Sequence, residues 1–207
     1  RRQRQMCIRD SVKIDPMACA GCGSCSAVCP SGAISYDAPP VDMLFRRLSI
    51  LASTYTAAGG ANPRLLVHDG AMGSEMIGLA ARFGRGLPSD VIPLETDALS
   101  GFGHAEILAA LACGFGEVNV LVFPKSETDV IEGQVSLAKA LSSRDTIHIL
   151  RPDDPDAMSE MLYTKDLAPN ACDPILPMGT RRQVARLAAK ALQPLSLIHI
   201  SEPTRLV

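Results

Sequence analysis

Apolar residues recur along this chain with two different periods, and the period switches repeatedly. Between 41 and 58 they fall at 41, 44, 45, 48, 51 and 52, a helical spacing, closed by Gly59-Gly60. Residues 64–68 (RLLVH) then form a short apolar run of strand type. Helical spacing returns over 73–83, with Met76, Ile77, Leu79, Ala80 and Phe83 on one face. Residues 90–94 (DVIPL) predict a strand and 104–113 a helix. The stretch 117–123 (EVNVLVF), rich in β-branched residues, predicts another strand. A helix over 128–141, a strand over 146–150 (TIHIL), a helix over 155–163, a last strand over 173–178 and a helix over 181–192 complete the series. Strands alternating with helices of about ten residues predict βαβ units around a parallel sheet. About 150 residues of this kind can bury a substantial core, and they contain no internal repeat.

The residues before 41 do not share this rhythm. Residues 12–15 are a short extended lead, 32–36 (GAISY) a second short stretch, and 37–40 (DAPP) a linker, because consecutive prolines block both helix and sheet. Between them runs Cys19-Ala20-Gly21-Cys22-Gly23-Ser24-Cys25-Ser26-Ala27-Val28-Cys29-Pro30. The spacing is C-x2-C-x2-C-x3-C-P, that of bacterial [4Fe–4S] ferredoxins. Three thiolates three residues apart can each reach one iron of a cubane. The small residues Ala20, Gly21, Gly23 and Ser24 let the loop wrap closely and aim N–H groups at the sulfides, which helps to set the potential. Pro30 stops the fourth Cys from continuing into a helix. Structural zinc is the competing assignment, but zinc sites usually pair two separated C-x2–4-C knuckles, and no second knuckle is present. A disulfide pair is disfavoured because no signal-peptide pattern opens the chain.

The phrase from Ile14-Asp15 through Cys29-Pro30-Ser31-Gly32-Ala33-Ile34 resembles one half of a two-cluster bacterial-type ferredoxin domain. In that family the fourth Cys of each quartet ligates the other cluster. The resemblance therefore implies that Cys19, Cys22 and Cys25 hold one [4Fe–4S] cluster, partly liganded here. Cys29 would help to complete a second, with residues outside the chain. The missing partner quartet is expected upstream of Val12 in the full gene. Cys113 is expected in the core at a helix end, and Cys172 in a loop.

The two ends do not read as native protein. Met6-Cys7-Ile8-Arg9-Asp10-Ser11, written in codons and reverse-complemented, encodes Leu195-Ser196-Leu197-Ile198-His199-Ile200. Both tails resemble translated transposase sequencing adapters, and such segments are set aside from fold reasoning. The expected organisation is 1–11 and 195–207 as adapter-derived tails, 12–40 as half of a ferredoxin-type module plus linker, and 41–194 as a Rossmann-like α/β domain. A chain bounded in this way is expected to be a fragment of a longer protein. The first tail carries four Arg against one Asp, so the chain's net charge of −2 becomes −5 without it, and six of the seven Cys remain.

An acidic balance, with 4% aromatic residues, argues against a nucleic-acid partner. No apolar run approaches the roughly 18 residues that would span a bilayer, and a cytoplasmic location is expected. The fold class is therefore α/β, a small Cys-rich ferredoxin-type module followed by a parallel-sheet domain.

The α/β part also resembles the domain of the hydrogenase iron–sulfur (delta) subunit family. The matching features are Leu65-Leu66-Val67-His68, Val91-Ile92-Pro93-Leu94 and the helix, Gly-rich turn and strand of 109–123. That family carries Cys after its first and third strands, where this chain has His68-Asp69 and Phe123-Pro124. The resemblance implies that this domain docks or supports rather than ligates. Gly70-x-x-Gly73-Ser74 and Gly101-Phe102-Gly103 each precede a helix, but neither is a nucleotide-binding fingerprint, and both read as turn and cap glycines. His68 and His104 stand at element ends without a paired base or nucleophile, so no catalytic residue is assigned. Arg182, Arg186 and Lys190 lie on one helix face, an ordinary solvated face or else a partner-docking patch.

Two functions remain. The first is an electron carrier, part of a multi-cluster ferredoxin-type subunit serving redox partner proteins in an oxidoreductase complex such as a formate dehydrogenase or hydrogenase. The alternative is an oxidoreductase whose α/β domain binds a nucleotide or small acid at the C-terminal ends of its strands, with the cluster as internal relay. Four ligand-type Cys and no catalytic constellation favour the first.

Overall fold

The computed structural model describes residues 17, 19–29, 34, 41–124, 126, 128–164, 169 and 172–193. The tails, the lead 12–15, the linker 37–40 and all of the stretch 32–36 except Ile34 lie outside the described residues. A short helix α1 (Ser24–Val28) carries part of the Cys quartet. The α/β region opens with α2 (Val41–Ala57), then alternates β1 (Arg64–Asp69), α3 (Met72–Phe83) and β2 (Val91–Thr96). A 3-10 turn (Leu99–Gly101) leads into α4 (His104–Ala112), β3 (Glu117–Leu121), α5 (Thr128–Ser142), β4 (Ile147–Leu150) and α6 (Pro155–Tyr163). Helix α7 (Arg181–Leu192) closes the series.

All strand pairings are parallel, in the order β2-β1-β3-β4. Strand β1 therefore sends its chain one way, to β2, while β3 sends its chain the other way, to β4. The two faces of the sheet take alternate residues, as the strand period of two requires. Leu65, Val67, Val118 and Val120 point into a core with α2, α4, α5 and α7. Leu66, Leu121 and Leu150 point the other way, against Ala80 of α3 and Met158 and Leu162 of α6. Leu65, Leu66 and Val67 are wholly buried, each contributing about 1.5–3 kcal/mol relative to exposure. Such continuous apolar runs are the mark of a parallel strand covered on both faces. Pro93 sits in β2, an edge strand, where a missing N–H is tolerated.

Buried charge at the foot of the sheet is paired. Arg64 is 2% exposed. It forms an ion pair with Asp90, and its Nη1 donates to the Leu162 carbonyl at 2.8 Å, tying β1 to the approach to β2 and to α6. Capping fixes the later helices: Asp154 accepts from the Ala157 N–H at 2.7 Å at the start of α6, and Thr180 with Gln183 forms a capping box on α7.

The strand expected over 173–178 is absent. Pro174 and Pro177 each lack the N–H a ladder needs. The N–H of Ile175 is spent instead on the Ala112 carbonyl at 2.8 Å, so this segment caps the C-terminus of α4. Among the described residues no helix is long and apolar enough to cross a membrane.

Candidate metal centre

The quartet begins in a loop that only glycine builds easily. Gly21 and Gly23 have φ of +72° and +77°, the left-handed region that strains any residue with a Cβ. Cys22 lies between them, Cys25 is the second residue of α1, and Cys29 is its extended C-cap. Cys19 and Cys25 are exposed, Cys22 and Cys29 half-buried, and none of the four is in a disulfide. The Gly21 N–H donates to Cys19 Sγ at 3.4 Å.

Glycine also lets the Cys segment sit close against the α/β region. A Cβ on Gly101 would stand 3.3 Å from the Cys22 carbonyl, and one on Gly103 3.0 Å from Ala27 Cβ. Ser100 Oγ donates to the Cys22 carbonyl at 3.2 Å. Both contacts lie where β2 has ended and α4 begins. The Cys segment thus rests on the C-terminal edge of the sheet, beside the reversal of strand order where open α/β sheets place their ligands.

One arginine fastens the two parts together. Arg181, at the start of α7, donates from Nη1 to Ser26 Oγ at 2.6 Å, from Nη2 to the Gly101 carbonyl at 3.1 Å and from Nε to Glu106 Oε1 at 2.5 Å. Ser26 Oγ in turn donates to the Ile34 carbonyl at 3.2 Å. Glu106 is 1% exposed, and its second oxygen accepts the Gly103 N–H at 3.0 Å. Burial pushes the Glu106 carboxyl above its ordinary pKa, and the Arg181 charge and hydrogen bond pull it back. Sequence reasoning did not find this pair, which joins residues 75 positions apart. The available signal was a single Glu in the otherwise apolar run of residues 105–112, since a buried carboxylate requires a partner.

The two glycine turns hold no phosphate cradle. At the start of α3 the Gly73 N–H already binds Asp69 Oδ1 at 2.7 Å, and Ser74 Oγ donates to Glu95 Oε2 at 3.0 Å. Two carboxylates therefore stand where an anionic ligand would need to lie. At the start of α4 the N–H groups of Gly103 and His104 bind Glu106 and Gln134. His104 Nδ1 contacts the same Gln134 oxygen at 2.7 Å, and buried His68 has its Nδ1 on the Asp69 carbonyl at 2.9 Å. Both imidazoles are held by the fold.

Cys113 and Cys172 are far from the quartet. Cys113 follows α4, is 3% exposed, and has a thiol pushed up to about 12, first by burial and then by Cys172. Cys172 Sγ lies 4.0 Å from the Ala112 carbonyl, so it belongs to the same end of α4. The quartet touches the other end, nine residues away, or about 13 Å along the helix axis.

The donors present suit an iron–sulfur cluster: four soft thiols, small residues between them, and an amide already aimed at sulfur. Among the described residues no three of His, Cys, Asp and Glu are gathered around one point. A cluster is itself the core on which such a loop closes, and metal binding of this kind is coupled to folding.

Residues 12–35 match the family model of the 4Fe-4S binding domain, which spans the whole quartet. No curated protein and no solved structure matches the chain. The chain thus carries a [4Fe–4S] ferredoxin-type module beside a parallel-sheet α/β region, and an iron–sulfur electron-transfer role follows from that module.

Proposed function

We propose that Cys19, Cys22, Cys25 and Cys29 are the cluster ligands, and that the chain is part of a multi-cluster subunit passing single electrons to or from a cytoplasmic oxidoreductase complex. The observation that carries this reading is the C-x2-C-x2-C-x3-C-P run, matched as a 4Fe-4S binding domain and seated on the C-terminal edge of the sheet. A [4Fe–4S] group supplies reversible one-electron chemistry. The chain's own residues do the rest. Gly21 and Gly23 turn the loop so that its amides face sulfur, which stabilises the added negative charge and raises the potential. Arg181, paired with Glu106 and bonded to Ser26 of α1, holds the Cys segment on the α/β support. No proton needs to move.

The resemblance of the α/β region to the hydrogenase iron–sulfur subunit family supports a hydrogenase or formate dehydrogenase as the class of complex. His68-Asp69 and Phe123-Pro124 replace that family's Cys, which supports a docking role for this region. By the ferredoxin rule Cys29 completes a second cluster with ligands encoded upstream of residue 12.

The test is a potentiometric titration of the reconstituted chain, followed by EPR. A one-electron wave that disappears in Cys22→Ser is expected. A titration without such a wave, in protein that has taken up iron and sulfide, would overturn the electron-carrier reading.

A further inference from the structure

Helix α7 carries four cations, Arg181, Arg182, Arg186 and Lys190, and no carboxylate, within a chain whose net charge is negative. Arg181 is consumed by Glu106 and Ser26. Arg182, Arg186 and Lys190 lie exposed at i, i+4 and i+8 on one face, and none forms an ion pair with another described residue. Arg182 stands in the first turn, where the helix dipole already presents positive charge, so the helix gains nothing from it there. An anionic surface laid against this face would meet both.

The face is flanked by two hollows. One, of about 260 Å³, lies between the end of α1, α5 and α7, and Cys29, His104, Arg181, Arg182 and Arg186 line it. The other, an open depression of about 880 Å³ on the far side of α7, is lined by Met178, Arg186, Leu187 and Lys190. Met178 and Leu187 are 39% and 48% exposed, apolar surface beside the cationic row. Apolar patches within a charged rim are the make-up of a protein interface. Among the described residues no Phe, Tyr or Trp lines either hollow, so a stacking platform for nucleic-acid strands is missing there.

We infer that this face of α7, continuous with the hollow at Cys29, is the docking surface for an acidic electron-transfer protein. The inference rests on the electron-carrier reading and adds to it the chemistry of the partner and its point of approach. Complementary charge steers such a partner to Arg182, Arg186 and Lys190 and speeds encounter at low salt. The partner then lies against the segment that contains Cys29. A [4Fe–4S] group that Cys29 helps to hold would exchange single electrons with such a partner, which needs no bond to be made or broken.

The probe is a dye-labelled acidic plant-type [2Fe–2S] ferredoxin, titrated with the full chain and read by fluorescence anisotropy. Binding at low salt is expected, weakened at least tenfold by the triple variant R182Q/R186Q/K190Q. Raised salt is expected to abolish it, and Arg82→Gln on the opposite layer to leave it unchanged. Thermal melts check that the triple variant folds, which its three exposed positions lead us to expect. Failure of the wild-type chain to bind, or equal binding by the folded triple variant, would overturn the docking inference. So would tight binding of a DNA duplex that the ferredoxin cannot displace. Stopped-flow mixing with the chemically reduced ferredoxin separates the two readings. Salt-sensitive binding without electron transfer sinks the carrier reading and leaves the docking surface standing. Electron transfer at a rate indifferent to the triple variant does the reverse.

Discussion

Arg181→Met tests how the Cys segment is held. In the native fold the Glu106 carboxylate is 1% exposed and meets the Arg181 guanidinium and the Gly103 N–H. Taking away the arginine leaves a buried charge with only backbone amides for company. Removing one partner of a buried pair costs about 3–5 kcal/mol, a large share of the 5–15 kcal/mol that holds a typical domain together. The loss depends on pH with a definite sign. Burial already places the folded pKa of Glu106 above its ordinary value of 4.5, and Arg181 is the main influence pulling it down. Without Arg181 the folded pKa rises further. The native state then binds the proton more tightly than the unfolded chain. Stability is fully present below the unfolded value and is lost as pH rises through the folded one. Urea unfolding of wild type and variant at pH 5 and pH 8 should therefore show a small deficit at pH 5 and the larger one at pH 8. Glu106→Gln is the converse case. Arg181 keeps a side chain 16% exposed and can reach water, so the expected loss is smaller, about 1–3 kcal/mol, and it shrinks as pH rises, because wild-type Glu106 with its raised pKa loses stability in that direction while Gln does not titrate. A deficit for Arg181→Met that is the same at both pH values, or under about 1 kcal/mol where a buried unpaired charge should cost several times that, would refute the reasoning.

Other substitutions probe the support around the site. Gly73→Ala would set a Cβ 2.6 Å from His68 Cβ and should cost about 1–3 kcal/mol by overpacking. Gly78→Ala, in the same helix with nothing within 4 Å, should gain up to about 1 kcal/mol; chemical denaturation of both variants checks the pair. Gly103→Val, which pushes against Ala27 and Gln134, should lower iron incorporation while the far-UV circular dichroism of the α/β region persists. With its thiol near 12, Cys113 should resist alkylation at pH 8 while Cys19 and Cys25, exposed, are labelled within the same reaction, as mass spectrometry would show.

The α/β alternation was readable because its strands are short, β-branched and apolar, and its helices carry their apolar residues at helical spacing. Val118, Val120 and Val122 on one face of the β3 segment and Leu121 and Phe123 on the other are such a case. Residues 173–178 look strand-like through Ile175 and Leu176, but the missing N–H groups of Pro174 and Pro177 decide the matter. The quartet was legible as a motif because ligand spacing is local. Its seat was not, because it depends on Arg181 and Glu106, which are far apart in sequence and meet only when α4 and α7 pack. Gly101 and Gly103 read from the sequence as turn and cap residues, and they are that. Their further use, admitting Cys22 and Ala27 at close range, is visible only with both chain segments in place.

The most direct test of the central claim is anaerobic reconstitution with iron and sulfide in competition with zinc, followed by metal and acid-labile sulfide analysis. The account expects iron and sulfide bound in equal amounts with broad visible absorption, and both lost in Cys22→Ser. Zinc bound in preference, with no sulfide retained, would contradict it.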